Sequence, residues 1–369
     1  MKVLQTGKFY PITGGVEKVM YHLVTGLPAQ GVESDMLCAA CGRPATIEVA
    51  EGGRIFAVRT LKKVKATMIA PSMILRLRRI AGNYDIVHIH HPDPMAALAL
   101  RLSGYRGKVV LHWHADILRQ RQLLKVFRPL QQWLINRADV IVGTSPTYIA
   151  GSPWLRNVQQ KCVCVPIGVE RPGEVPQEAV DRVKSRWGGR KIVFSMGRLV
   201  SYKGFEYLID AAQYLPEDYV VIIGGKGVLQ DELERRIAEL DLGEKVKLIG
   251  FIDDDELAAY YRAADVFCMS SVERTEAFGL VQIEAMGCGT PVVATEIAGS
   301  GVSWANSHGE SGLNVPVRDA RAIAGAIMTI TADEDTRKKY SAGALRRFDE
   351  MFRKEKMTSA IADIYREIL

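Results

Sequence analysis

Apolar residues along the chain follow two rhythms. Short β-branched runs alternate with stretches whose apolar positions recur every three or four residues, the pattern of parallel α/β sheets. In the first half the runs KVLQTG, ESDMLCAA, RIFAVRT, DIVHIHH, KVVLHWH, DVIVGTS and CVCVPIG predict strands. Amphipathic helices fit GVEKVMYHLVTGLPAQG and DPMAALALRLSG between them. The segment VERPGEVPQEAVDR, rich in proline and acid, breaks the rhythm and reads as a linker. A second series follows: KIVFSMG, YVVIIGG, KVKLIGF, DVFCMSS, PVVATE and GLNVPV, with helices over GFEYLIDAAQYL, LQDELERRIAEL and DDELAAYYRAA. Each half thus reads as a doubly wound sheet, and such sheets bind ligands beyond the carboxyl ends of their strands. Two of them face to face make a cleft.

Composition narrows this to a soluble, enzyme-sized chain. Its 369 residues suit two domains, and 48% hydrophobic with 24% charged residues is ordinary for a globular protein. No apolar run approaches the roughly 18 residues that span a bilayer. Met1-Lys2 leads directly into VLQTG, without the apolar core of a secretory signal, so a cytoplasmic location is expected. Charge is uneven: residues 1–170 carry 22 Lys and Arg against 10 Asp and Glu, and the remainder carries 26 against 32. The excess cations concentrate in RTLKKVKATMIAPSMILRLRRI (Arg59–Ile80) and RQRQLLKVFRPLQQWLINR (Arg119–Arg137). Both alternate cations with large apolar residues, as interfacial helices do, which points to an anionic membrane surface or a lipid phosphate. Nucleic acid is disfavoured, because no aromatic-interleaved basic sheet or recognition-helix pattern is present. Cys38 with Cys41, and Cys162 with Cys164, are spaced closely enough for zinc. Buried strand cysteines in a reducing compartment explain them better.

Four loops carry candidate chemistry. In FSMGRLVSYKGFEYL, Arg198 and Lys203 flank a strand-to-helix turn, where two cations suit a diphosphate. Gly224, Gly225 and Gly227 follow the next strand, and Gly14-Gly15 precede a helix near Val16; both are turns through which backbone can approach a phosphate or sugar. In ERTEAFGLVQIEAM, Gly279, Leu280 and Val281 would begin a helix whose free N–H groups and dipole attract an anion. Glu276 stands just outside that start and Glu284 one to two turns inside, so the two acids would accept hydrogen bonds from different sugars. HIHHPD and HWHAD place His88, His90, His91, His112 and His114 near strand ends; a cleft edge accounts for them more readily than a metal. Asp253–Asp255 reads as a helix cap rather than a cation site.

Taken together, EAFGLVQIEAMGCGTPVVAT, GRLVSYKG, VPIGVE, SGLNVPV and GGVEK resemble the family-four retaining glycosyltransferases of the GT-B fold, bacterial envelope-polysaccharide type. The resemblance covers essentially the whole chain. It implies two Rossmann-like domains facing a cleft: an acceptor-binding domain over 1–170, a nucleotide-sugar-binding domain over 171–350, and a C-terminal helix, 351–369, crossing back to the first. It assigns the donor diphosphate to Arg198 and Lys203, the ribose to Glu284 and the donor sugar to Glu276. Backbone from Phe278 through Gly279 and Leu280 to Val281 would line phosphate and sugar, and Gly15 would approach the diphosphate. His114 falls where the family's active-site histidine sits, and Gly250, Phe251 and Ile252 would receive the nucleobase. No metal and no other cofactor is implied; the nucleotide sugar is a substrate. The implied reaction moves a hexose, mannose from GDP-mannose, to a saccharide or lipid-linked acceptor, from the inner membrane face. A UDP-hexose donor and a non-catalytic carbohydrate-binding protein of the same fold are the alternatives. One departure stands out: Ile167 and Glu170 occupy a turn where the family usually has Asn in a VPNGVD-like sequence.

Overall fold

Two separate sheets underlie the two series of runs. The computed structural model describes residues 1–64, 67–118 and 121–369, and of 121–124 the backbone alone. The chain divides into unit 1, Met1–Gly168 with Lys354–Leu369, and unit 2, Val169–Arg353. The first passage between them falls at Gly168, directly after the buried Ile167.

Unit 1 contains β1 (Lys2–Tyr10), β2 (Glu33–Ala40), β3 (Ala45–Glu48), β4 (Arg54–Val58), β5 (Lys62–Val64), β6 (Thr67–Ile69), β7 (Ile86–His91), β8 (Lys108–Trp113), β9 (Val140–Gly143) and β10 (Cys162–Cys164). Eight of them form one sheet in the order β10-β9-β8-β7-β1-β2-β4-β3, parallel except for the β3–β4 pair at the edge. The direction of strand succession reverses at β1, between β7 and β2, so the loops after β1 and β7 open at a switch point. The segment Arg59–Ile80 corrects the expectation of one interfacial helix: β5 and β6 pair as an antiparallel hairpin, and among its described residues only Ser72–Ile80 is an α-helix. Of the second basic segment, Arg121–Arg137 is a helix; Arg119 and Gln120 lie outside the described residues.

The final helix, Lys354–Ile368, belongs to unit 1. Its Thr358 methyl packs so closely on Gly26 that no side chain fits there. Arg366 donates to the Gln30 carbonyl at 2.7 Å, and Tyr365 is fully buried beside β1 and β7. Large apolar groups on one face (Met357, Ile361, Tyr365) give this helix its reason to dock.

Unit 2 contains β11 (Lys191–Met196), β12 (Tyr219–Gly224), β13 (Val246–Gly250), β14 (Val266–Met269), β15 (Val292–Glu296) and β16 (Gly312–Pro316). The order is β13-β12-β11-β14-β15-β16, all parallel, which is the dinucleotide-fold order with its switch point between β11 and β14. Buried Val193, Val221, Ile223, Val266 and Val293 from the strands pack against Leu208, Ile237, Ile323 and Ile327 from the helices. Both sheet faces are covered, as the near-continuous apolar runs require.

The polar interior of unit 1 is less usual. His88, His90, His91, His112 and His114 are all buried. Burial, reinforced by neighbouring imidazoles or Lys8 for most of them, pushes His91 and His112 down to about 3 and the other three well below their ordinary value. All five are neutral in the folded chain, whereas in the unfolded chain they titrate near 6.5. Below about pH 6.5 the unfolded state therefore binds protons that the folded state refuses, and stability falls as pH drops toward about 3. His91 stacks on Trp113 with centroids 3.9 Å apart, and neither ring nitrogen has a hydrogen-bond partner among the described residues. Replacing it with Phe keeps the stacked ring and removes the titration. Between about pH 7.5 and about pH 5, His91→Phe is expected to lose about 2 kcal/mol less stability than the parent, by urea unfolding. Equal losses would show that His91 protonates freely in the folded state.

Candidate active site

The switch point of unit 2 gathers most of the residues singled out in the sequence. After β11 the chain runs through Gly197, Arg198 and Leu199 to a short turn, Ser201–Lys203, and then to the helix Phe205–Ala211. Between turn and helix, Gly204 has φ +64°, and a Cβ there would strike the carbonyl oxygen of Ser270 beyond β14. Glycine thus lets the two switch-point loops touch, and the Ser270 hydroxyl donates to the Lys203 carbonyl at 3.1 Å. The Lys203 side chain lies along Gly197, where any side chain would crowd it. Its ammonium reaches Glu276 Oε2 at 2.7 Å, with both side chains only 12% exposed. Ser271 donates to the same carboxylate oxygen at 3.3 Å.

Glu276 and Glu284 bracket a helix start built on a second strained glycine. Gly279, φ +80°, is the N-cap of the helix Leu280–Gly287, and a Cβ there would collide with the Met269 thioether. Phe278 turns its ring into the core, 5.8 Å from Phe352 and 6.3 Å from Trp304, so only its backbone faces the helix start. Leu280 and Val281 begin the helix, where N–H groups have no partner within it. Glu284, its fifth residue, accepts a 3.0 Å hydrogen bond from Tyr261. Burial first, and then the Glu284 charge, raise the Tyr261 phenol well above its ordinary range, so it stays a proton donor.

The neighbouring loops differ in part from the sequence reading. Arg198 is exposed and donates to the Tyr202 hydroxyl at 3.2 Å, beside the turn that carries Lys203. Gly225 and Gly227 do bring backbone close to something, but to the protein itself. A Cβ on either would meet the backbone of Gly197 or Leu199, which ties the loop after β12 to the one carrying Arg198. Gly250, φ +74°, accepts from the Gly225 N–H at 2.6 Å. Beyond it Phe251 is 63% exposed, while Ile252 is buried beneath Gly224. Asp253 occupies the N-cap of Asp254–Ala263 without a side-chain capping hydrogen bond, so this acid cluster acts on the helix dipole only through charge.

In unit 1, Gly15 is the first residue of the helix Gly15–Gly26, and His114 follows β8 directly. All five histidines are buried. The rings of His88, His90 and His112 bring nitrogen atoms within 4.8 Å of one another. They are stacked at interplanar angles of 12° to 26°, so their in-plane lone pairs run side by side instead of converging on one ion. The cysteines are likewise not uniformly buried: Cys38 and Cys268 are, Cys41 is exposed and the others are intermediate. Sequence reasoning missed Tyr261, Ser271 and, in unit 1, Gln5, a buried amide of β1 between Leu4 and Thr6.

The family model described as Glycosyltransferase Family 4 matches residues 13–170, and that for Glycosyl transferases group 1 matches residues 177–347. The O-antigen chain mannosyltransferase C of Escherichia coli is 30% identical, over 100% of this chain and 99% of its own. The D-rhamnosyltransferase WbpZ of Pseudomonas aeruginosa is 31% identical over 95% of this chain and 92% of its own. Among solved structures, Anabaena HepE in complex with UDP superposes with a TM-score of 0.80 at 20% identity, covering 100% of both chains. With the fold of both units, these relatives establish that the chain is a glycosyltransferase of the GT-B fold and belongs to family four.

Proposed function

We propose that this enzyme transfers a hexose, mannose from GDP-mannose, with retention of configuration, to a saccharide or lipid-linked acceptor in the synthesis of a cell-envelope polysaccharide. The observation that carries this reading is the Lys203–Glu276 pair at the switch point, one short loop from the helix start at Gly279. A nucleotide sugar matches that spacing of charges. Its diphosphate takes the Lys203 ammonium, the Arg198 guanidinium and the N–H groups of Leu280 and Val281. Glu276, released from Lys203 as the phosphate competes for the ammonium, accepts from a sugar hydroxyl. Glu284, oriented by Tyr261, accepts from the ribose diol, and the exposed Phe251 near Gly250 offers a face to the base.

Breaking the anomeric bond places negative charge on the β-phosphate, and fixed cations with oriented N–H groups stabilise such charge without reorganising. No side chain in this set is a nucleophile, because Glu276 is occupied with hydroxyls. Retention then follows from attack on the face the diphosphate leaves, with the departing phosphate as base. This accounts for the chemistry with no metal or further cofactor. The roles that the resemblance implies for His114, at the sugar, and for Gly15, at the diphosphate, stay with this reading, as does an acceptor bound by the basic first unit. The mannosyl donor rests on relatives named as mannosyltransferases in Escherichia coli and the mycobacteria. A UDP-hexose is the second reading, favoured by the solved HepE complex with UDP. A purely carbohydrate-binding role fits poorly with an intact phosphate grip.

A cytoplasmic enzyme resting on an anionic membrane fits the basic first unit. Among the described residues no helix is long and apolar enough to cross a membrane. The helix Ser72–Ile80 turns Met73 and Leu77 inward and leaves Leu75 60% exposed beside Arg78 and Arg79.

A panel of nucleotide sugars, scored by release of nucleoside diphosphate with and without lipid-linked acceptor, is expected to single out GDP-mannose. Preference for a UDP-hexose would overturn the donor assignment. Lys203→Ala is expected to lower turnover about 100-fold or more and weaken nucleoside-diphosphate binding. Glu276→Ala should cripple transfer while nucleoside diphosphate still binds; wild-type rates in either variant would remove that residue's role. Binding to anionic vesicles should weaken as salt rises, and salt-indifferent or absent binding would refute the membrane contact.

A further inference from the structure

We propose that a buried hydrogen-bond chain from Gln5 through His90 to His114 holds His114 as the tautomer protonated on Nε2, so that its Nδ1 lone pair accepts a hydrogen bond from a hydroxyl of the donor sugar. The inference rests on the reading of His114 at the sugar given above, and it makes Gln5 and His90 positioning residues for that contact.

Each link follows from which atoms can donate. Gln5 lies in β1 opposite His88 of β7, and its side chain is fully buried. Its amide nitrogen donates to the Ser34 hydroxyl at 3.3 Å and to the Tyr365 hydroxyl at 3.2 Å. That orientation turns the amide oxygen toward His90 Nε2 at 2.9 Å. A carbonyl oxygen only accepts, so His90 Nε2 carries the proton. Burial, together with the surrounding imidazoles and Lys8, holds His90 and His114 well below their ordinary pKa, so each ring carries a single proton. His90 Nδ1 is then a lone pair, and it lies 2.9 Å from His114 Nε2. The only proton available to that contact is on His114 Nε2, which leaves His114 Nδ1 bare. Among the described residues this Nδ1 is buried and has no hydrogen-bond partner.

The same logic reaches a second ring. Tyr365, having accepted from Gln5, directs its own proton to His88 Nδ1 at 2.6 Å, which places the His88 proton on Nε2 as well. One amide therefore sets the hydrogen-bonding sense of three imidazoles. The consequence for recognition is definite. A neutral His114 with a bare Nδ1 selects a ligand group that has a proton to give, a sugar hydroxyl, over one that only accepts, such as a phosphate oxygen.

The test reads the protons directly. In the full-length protein with nitrogen-15 imidazoles and no substrate, long-range proton–nitrogen correlation spectra are expected to show His114 and His90 protonated on Nε2 and bare at Nδ1. A proton on His114 Nδ1 overturns the proposal. Gln5→Leu is expected to mix the two tautomers at His90 and His114. Gln5→Glu keeps an acceptor-only oxygen toward His90 but has no N–H for Tyr365, so it is expected to preserve the parental pattern at His90 and His114 while changing it at His88. Unchanged His114 signals in a folded Gln5→Leu protein also overturn it. In kinetics, Gln5→Leu should lower kcat about 10-fold to 100-fold, by analogy with other partners that orient a working histidine. Nucleoside-diphosphate affinity should stay the same, and Gln5→Glu should recover the rate. Should the spectra show the expected tautomer while His114→Ala turns over normally, the hydrogen-bond chain stands and the placement of His114 at the sugar falls.

Discussion

An ammonium and a carboxylate 2.7 Å apart, each with little water around it, set the terms for the loops of unit 2. Withdrawing two ions from water costs several kcal/mol apiece, and their attraction offsets this only when neighbours complete the hydrogen bonding. Those neighbours account for much of the local sequence. Ser271 supplies a donor to the carboxylate, Ser270 pins the Lys203 backbone, and Gly204 lets these loops come within contact of each other. Ser300 donates to the Glu276 carbonyl at 2.6 Å, and Gly301 donates to Ala277, so the acid's loop is held from its far side too. Under the function proposed above this pair exchanges its partner for a ligand, and a buried charged pair suits that use better than it suits stability.

Unit 1 handles polarity differently. Its strands β7 and β8 carry imidazoles where apolar side chains would pack as well, and burial keeps these rings uncharged. The cost of hiding so many nitrogens is offset only where they find partners. Gln5, Ser34 and Tyr365 supply these for one set, whereas both nitrogens of His112 have none among the described residues. Stacking between near-parallel rings, such as His112 over His114 at 4.1 Å, contributes packing in place of hydrogen bonds.

Much of this was legible in the residues. Strand and helix runs stand out because a parallel sheet covered on both faces needs uninterrupted apolar stretches. Glu276 and Glu284 declare themselves by flanking a glycine that opens a helix. What stayed hidden depends on contacts far apart in sequence. Tyr261 reaches Glu284 from another helix, and Tyr365 reaches Gln5 across 360 positions. The basic stretch Arg59–Ile80 misled because cations mixed with apolar residues suit a hairpin edge as readily as a helix, and Arg76 folds back over the Phe56 ring at 4.5 Å. The glycines at 225 and 227 show a similar ambiguity. Close backbone approach was the right inference from them, but only the fold reveals that the partner is the adjoining loop.

The return of the last helix to unit 1 bears on how the polypeptide matures. Residues of unit 2 leave the ribosome as one uninterrupted block, so that lobe can acquire its full set of contacts during translation. The amino-terminal lobe, though made first, waits for Tyr365, and until then the Gln5 amide and His88 lack the phenol that joins them. Birth order and completion order are therefore reversed: the lobe begun first is the last to be closed.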